Sequence, residues 1–130
     1  MIKEGKNVIY ENDVFFAVTP DVISQRYQIM IYPKRHVESI FDMTENEIKE
    51  FINVTIKVGR HMKKVLPILS FKFKLNEKLQ MLKPTKYHIE HIHFHIIPRF
   101  KGQDSEPDYT NRIWLSDYEI GEIVNKLRFK

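Results

Sequence analysis

Residues Tyr87–Phe100 read YHIEHIHFHIIPRF, and three histidines in this stretch occupy alternate positions, His91, His93 and His95. In a β-strand successive side chains point to opposite faces, so the imidazoles would share one face and the apolar residues between them the other. At roughly 3.3 Å per residue the row of imidazoles would span about 13 Å. A helix would spread the same residues around its axis. The stretch therefore predicts a strand with one polar, reactive face, and Pro98 is expected to end it.

The composition bounds the class of protein. The chain has 130 residues, 42% of them hydrophobic and 12% aromatic, which is enough to build a core in one domain. The absence of cysteine excludes a disulfide framework and a thiolate zinc site. The first residues lack the apolar core of a signal peptide, and no apolar run approaches the ~20 residues that cross a bilayer. We expect a single domain over residues 1–130, no membrane partner, and a location in the cytoplasm, or the nucleus in a eukaryote.

Positive charge is concentrated in one third of the chain. Residues 57–86 carry nine Lys or Arg and one acid, Glu77, in a chain whose formal net charge is +4. A lysine run is most often a solvated face, but such a run can also attract a phosphorylated ligand or a nucleic acid. Because the region leads directly into the histidine stretch, nucleic acid is retained as a candidate partner.

Hydrophobic periodicity predicts an α+β fold. Five β-prone runs are predicted as strands, at residues 8–10, 15–18, 28–32, 68–75 and the histidine stretch. Capping-box patterns open two predicted helices, one at Thr44 with Glu47 and one at Ser116 with Glu119. The first helix is expected to run to about Leu66. The order of three strands, helix, two strands and helix predicts an antiparallel sheet with the helices on one side.

A row of imidazoles on one strand face is compatible with three interpretations. The middle histidine could attack phosphorus, because a neutral imidazole is a competent nucleophile near pH 7 and neighbouring cations keep one member of a cluster neutral. Alternate histidines could instead bind zinc and leave a position for water. The third interpretation is a polar strand face that water or backbone groups satisfy. The spacing alone does not separate catalysis by histidine from metal ligation.

The stretch HIHFHIIPR, residues 91–99, resembles the His-x-His-x-His-x-x pattern that names the histidine triad (HIT) superfamily. The resemblance extends to IYPKRHVESIFDMTENEI, residues 31–48, and to LSDYEIGEIVNKLR, residues 115–128. It implies an antiparallel five-stranded sheet with two main helices, joined into a larger sheet in a homodimer. It also implies a nucleotide hydrolase or nucleotidyl transferase that acts at the α-phosphate of nucleoside phosphoramidates or dinucleoside polyphosphates.

The same resemblance implies roles for the triad. His93 would attack the α-phosphorus and form a covalent nucleotidyl-histidine, which water then releases as a nucleoside monophosphate. His91 and His95 would orient the nucleophile and contact the phosphate. No metal or other cofactor is required in most branches of the family. The alternative is a nucleotide- or RNA-binding module of the same fold with weak or lost catalysis.

Several positions depart from the family pattern and define the expected substrate-binding residues. Lys86, Tyr87 and His88 stand where a Gly-Gln pair usually precedes the triad. The Lys86 and His88 side chains are expected to replace backbone donors to phosphate; the alternative is that Tyr87 and His88 pack at the strand entrance. Gln28 stands where many members place a histidine near the leaving group; it can hydrogen-bond but has no useful pKa as a proton donor. Asp21 lies next to the position of a ribose-binding Asp or Asn, and Asn76 corresponds to a phosphate-contacting asparagine.

Overall fold

The computed structural model describes residues 7–77, 92–106 and 108–130, and in them the chain forms two α-helices, one 3₁₀ turn over Ile40–Asp42 and seven strands. The elements are β1 Val8–Glu11, β2 Phe15–Val18, β3 Val22–Ile23, β4 Ile29–Pro33, α1 Glu45–Val65, β5 Ile68–Asn76, β6 His93–Phe100, β7 Ile113–Trp114 and α2 Asp117–Leu127. Five strands form one antiparallel sheet in the order β1-β2-β4-β6-β5, and β3 pairs with β7 in a separate ribbon. The predicted α+β class, with a five-stranded antiparallel sheet and two main helices, is confirmed.

Both helices begin at the predicted capping boxes. The Thr44 side chain accepts from the Glu47 N–H at 3.1 Å, and the Glu47 carboxylate accepts from the Thr44 N–H at 2.9 Å. Ser116 and Glu119 repeat this exchange at the start of α2. The guanidinium of Arg35 also donates to both oxygens of the buried Glu47, at 2.7 and 3.0 Å, and lowers the pKa of that carboxyl. The turn that follows β4 is thereby tied to the first turn of α1.

The two faces of the sheet differ in what covers them. On one face, α1 and α2 pack together against the sheet in a single core, to which β6 contributes Ile96 and, less deeply buried, Phe94. The ring of Phe94 lies 4.9 Å from that of Phe51 on α1, edge to face. On the other face, which carries the histidines, lies a smaller apolar cluster formed by Val8, Val18, Met30 and Tyr32. The two helices therefore cover only the face of the sheet opposite the histidines, as predicted. In the described parts of the chain, neither helix has the length and apolarity that a bilayer crossing requires.

The expectation that Pro98 ends the histidine strand is wrong, because β6 continues to Phe100. Beyond Ile96 the strand no longer pairs with β4 and pairs with β5 alone, where Pro98 lies opposite Phe71. A proline is compatible with a strand that has one neighbour, since its missing N–H then breaks no ladder. The Gln25 side chain donates to the Pro98 carbonyl at 3.2 Å and stabilises this end.

Candidate active site

The described triad residues lie at the start of β6, an interior strand of the sheet between β4 and the edge strand β5. His93 is the first residue of the strand and pairs with Asn76 of β5, while His95 lies between Lys74 of β5 and Met30 of β4. Residues opposite each other in an antiparallel ladder project from the same face. The two imidazole rings are 5.1 Å apart and nearly perpendicular. The prediction that these histidines share one face, opposite an apolar face, is confirmed for His93 and His95.

Asn76 is the polar neighbour of His93. Its side-chain amide nitrogen lies 3.4 Å from Nε2 of His93, at the point where β5 ends and β6 begins. A phosphoryl group bound at that Nε2 would have the amide beside it as a donor. The structure therefore brings together two residues that the sequence analysis assigned separately, one as nucleophile and one as phosphate contact.

A chain of hydrogen bonds fixes the orientation of His95. The backbone N–H and hydroxyl of Ser24 both donate to Oε1 of Gln28, at 2.8 and 2.9 Å. The amide nitrogen of Gln28 consequently faces His95 and donates to its Nδ1 at 2.9 Å. Because Nδ1 accepts, the proton of the neutral imidazole lies on Nε2. His95 is thus presented as a neutral donor through Nε2.

The turn before β4 places Gln28 for this contact. Gln28 is buried, and its N–H donates to the Gln25 carbonyl at 3.1 Å across a tight turn. Tyr27 occupies that turn with a φ of 65°, in the left-handed region that residues other than glycine seldom adopt. Its ring packs edge-on against Phe100 at 6.3 Å, which holds the turn in place.

The surroundings of His95 keep it neutral. Burial lowers the pKa of His95 from 6.5 to about 3, and the charges of His93, Lys74 and Arg112 act in the same direction. Desolvation disfavours a charged imidazole, and each nearby cation repels the proton. His95 is therefore a hydrogen-bond donor and not a proton source at neutral pH.

This pKa predicts a pH-dependent stability. A histidine that titrates near 3 when folded and near 6.5 when unfolded binds its proton more readily in the unfolded chain. Its contribution to stability is complete above pH 6.5 and is lost on acidification, with a slope of up to about 1.4 kcal/mol per pH unit. We expect urea unfolding of His95→Gln between pH 7 and 4 to show a shallower slope than the wild type. The exposed His36→Gln control should retain the wild-type slope; equal slopes for wild type and His95→Gln would contradict the account.

The other predicted site residues are placed as follows. Asp21 begins the β3–β7 ribbon, where its backbone carbonyl accepts from the Leu115 N–H at 2.9 Å. Its predicted contact with a ribose stays a prediction. His91, His88 and Lys86 lie outside the described residues, and their roles stay predictions.

Three residues near His95 were missed by the sequence analysis: Ser24, Lys74 and Arg112. Lys74 was counted only as part of the basic region. Its place opposite His95 depends on the register between β5 and β6, which the sequence does not encode locally. Ser24 and Arg112 lie in connections without a periodic pattern, so no signal identified them.

Comparison with protein families gives a match to the HIT domain over residues 3–102. The chain belongs to the HIT family. This family includes nucleotide hydrolases and nucleotidyl transferases, and it binds nucleotide substrates. The recognition from the histidine pattern is thereby confirmed, and so is the HIT fold.

Individual HIT relatives differ in length and in the reactions that their names state. The chain is 27% identical over 119 residues to a galactose-1-phosphate uridylyltransferase of Thermotoga maritima, covering 87% of this chain but 34% of the relative. It thus spans about a third of that protein. Among solved structures, the NitFhit protein of C. elegans superposes with a TM-score of 0.74 at 21% identity, covering 95% of this chain and 27% of the other. A diadenosine triphosphate hydrolase of Plasmodium falciparum superposes with a TM-score of 0.68 at 15% identity, covering 97% and 76%.

Proposed function

We propose that this HIT protein hydrolyses or transfers nucleotides by attack of His93 on the α-phosphorus, through a covalent nucleotidyl-histidine. The observation that carries the proposal is the placement of His93 between the Asn76 amide and the neutral donor His95. The arrangement combines a nucleophile with donors to phosphate oxygens, which is what electrostatic stabilisation of phosphoryl transfer requires. The names of the two enzymes among the relatives, a uridylyltransferase and a dinucleotide hydrolase, agree with this reaction class.

The proposed reaction has two displacements. In the first, the lone pair of His93 Nε2 forms a bond to the α-phosphorus while the bond from phosphorus to the leaving group breaks and takes its electron pair with it. The second nitrogen of His93 retains its proton. In the second, a water oxygen attacks the same phosphorus, the P–N bond returns its electrons to Nε2, and the water releases one proton. Asn76 and the Nε2–H of His95 donate to the phosphoryl oxygens in both steps.

Turnover and binding separate this proposal from its rivals. Incubation with adenosine 5′-phosphoramidate and with diadenosine triphosphate should release adenosine monophosphate, which chromatography detects. Tight binding of adenosine monophosphate or RNA without turnover would instead favour the binding module. Turnover that a chelator abolishes and zinc restores would favour a metal enzyme, since metal ligation was an interpretation of the histidine row.

Three described lysines of the basic region, residues 57–86, do not gather on one surface to which RNA could bind. They therefore give little support to the alternative of a nucleotide- or RNA-binding module. Lys57 of α1 lies over the Tyr10 ring on the β1 side of the helix, and Lys63 lies over the Phe71 ring on the β5 side. Lys72 projects from the histidine face, where it contacts the Tyr109 ring at 4.0 Å. These three lysines of the basic region therefore lie on three different surfaces.

We also propose that residues 1–130 form one HIT domain, although the family match ends at residue 102. The part of the chain beyond the match includes α2, whose buried residues Ile120, Ile123, Val124 and Leu127 belong to the same core as α1 and the sheet. Removal of α2 would expose this apolar surface of α1 and the sheet to water.

The proposed homodimer is formed at the β5 edge of the sheet. In the described residues β5 is the outermost strand, and it exposes Phe73 and Leu75 by 53% and 40%. Ile48, Ile52 and Ile56 form an exposed apolar stripe at four-residue spacing along α1. The stripe lies on the β5 side of the helix, because Gly59 of the same flank faces the Phe71 ring and Lys63 lies over that ring. An edge strand and an adjacent apolar helix flank fit a second copy of this chain, related by two-fold symmetry.

Ile52→Glu should therefore convert the dimer to a monomer. The substitution places a charge in the centre of the proposed interface, where it would have to be desolvated. We expect sedimentation velocity at ~10 µM to give a monomer for Ile52→Glu and a dimer for the wild type. Asn53→Glu adds the same charge on the next, outward position of α1 and should leave the dimer intact. A wild-type monomer, or a dimer in Ile52→Glu, would contradict the proposed interface.

A further inference from the structure

The charges on the histidine face bear on which bond of the substrate is broken. Lys74 lies directly opposite His95 on β5, one side-chain position along the same face from the pair formed by Asn76 and His93. Lys74 is an exposed residue, and its charge and that of Arg112 both act at His95. A phosphoryl group held at His93 would therefore have two cations nearby on the side of His95.

The neighbouring lysine and the acid of the basic region are engaged elsewhere. Lys72 is held over the ring of Tyr109 at 4.0 Å. Glu77, which is two positions beyond Leu75, accepts from the Ser39 hydroxyl and from the Ile40 N–H at 3.0 Å. The Glu77 carboxylate thus stabilises the start of the 3₁₀ turn over Ile40–Asp42. The hydrogen bonds of the Glu77 carboxylate are therefore made to that turn and not to Lys74.

The two substrate classes of the proposed function make different demands on this site. In a phosphoramidate the P–N bond breaks efficiently only if the nitrogen receives a proton, because an amide anion is a very poor leaving group. In a phosphoanhydride the departing oxygen already belongs to a phosphate, which is stable as an anion and is stabilised further by cations. Gln28 is not an acid, and its hydrogen bond to Nδ1 holds His95 as a neutral donor.

We propose that the group displaced from the α-phosphorus leaves as a phosphate anion beside Lys74, so that the substrate class is the nucleoside 5′-phosphoanhydrides and not the phosphoramidates. This inference rests on the proposed function. In the step itself the His93 Nε2–P bond forms, the bond between the α-phosphorus and the bridging oxygen breaks, and the electron pair stays on that oxygen. No proton is transferred to the leaving group. Lys74 and Arg112 balance the negative charge that it gains.

The test compares two substrates that share the adenylyl group, diadenosine triphosphate and adenosine 5′-phosphoramidate. For the wild-type protein we expect kcat/KM to favour the anhydride by at least about tenfold, the change that one charge-assisted contact supplies. Lys74→Met should lower kcat/KM for the anhydride by about tenfold and for the phosphoramidate by less than about twofold. Lys74→Arg should retain the wild-type ratio, and Lys126→Met, an exposed lysine of α2, should change neither value.

Failure of the anhydride assignment can be distinguished from failure of the proposed function. A wild-type preference for the phosphoramidate, or an equal loss on both substrates in Lys74→Met, would overturn the anhydride assignment while leaving the nucleotidyl-histidine chemistry in place. If neither substrate yields adenosine monophosphate and no nucleotide becomes attached to His93, the proposed function itself fails, and the inference fails with it.

Discussion

His93→Gly is expected to lower nucleotide turnover by at least about 10³-fold, because it removes the atom that forms the bond to phosphorus. The remaining donors, Asn76 and His95, could still bind phosphate but could not form the intermediate. His93 is only partly buried and stands at the first position of β6, so the fold should persist. Steady-state release of adenosine monophosphate, with circular dichroism as the measure of folding, checks both expectations.

Two matched variants make this result specific. His93→Gln retains a polar side chain of similar length that cannot act as the nucleophile, and it should be as inactive as His93→Gly. His36→Gly removes an exposed histidine near Glu38, in the turn before α1, and should retain activity. Turnover in His93→Gly within about threefold of the wild type would exclude His93 as the nucleophile.

Gln28→Glu is expected to raise the pKa of His95 from about 3 by at least about two units. One carboxylate oxygen would keep the two hydrogen bonds from Ser24, while the other would accept a hydrogen bond from Nδ1–H of His95, where the glutamine now donates. The imidazole would change tautomer and its charged form would be stabilised by the carboxylate. NMR of imidazole nitrogens through a pH titration measures the tautomer and the pKa directly.

The same substitution should change the substrate preference. An imidazolium at His95 could supply the proton that a leaving amine requires, so the ratio of kcat/KM should shift toward the phosphoramidate. Gln103→Glu is the matched control, because that side chain also accepts a backbone hydrogen bond but lies in the loop after β6. An unchanged pKa of His95 in Gln28→Glu would contradict the contact between the side chain of residue 28 and Nδ1 of His95.

The elements that the sequence predicted best are those whose pattern is contained within a few consecutive residues. The alternation of histidines with apolar residues, and the two capping boxes at Thr44 and Ser116, are each encoded within a few residues. They correctly predicted a strand and the starts of both helices. The continuation of β6 through Pro98 was not predictable in this way, because it depends on β4 ending its pairing at Ile96.

For the candidate site, the sequence predicted individual residues but not which of them lie next to each other. Gln28 was recognised as a departure from the family pattern, but its contact with His95 depends on the pairing of β4 with β6 and on the amide orientation that the Ser24 contacts impose. Lys74 was visible as one charge in a basic region, and only strand register places it beside His95. Strand register is a non-local property, so the shared face of His93 and His95 was predictable from the sequence and the neighbours of His95 on that face were not.

The most direct test of the proposed function is to isolate the covalent intermediate. Protein incubated with diadenosine triphosphate labelled in the α-phosphate is quenched in alkali, where phosphorus–histidine bonds survive, and then digested and mapped by mass spectrometry. The mechanism predicts one adenylyl group on the peptide that contains His93 in the wild type, and none in His93→Gly. Turnover of the substrate with no label at His93, or with label on another residue, would contradict it.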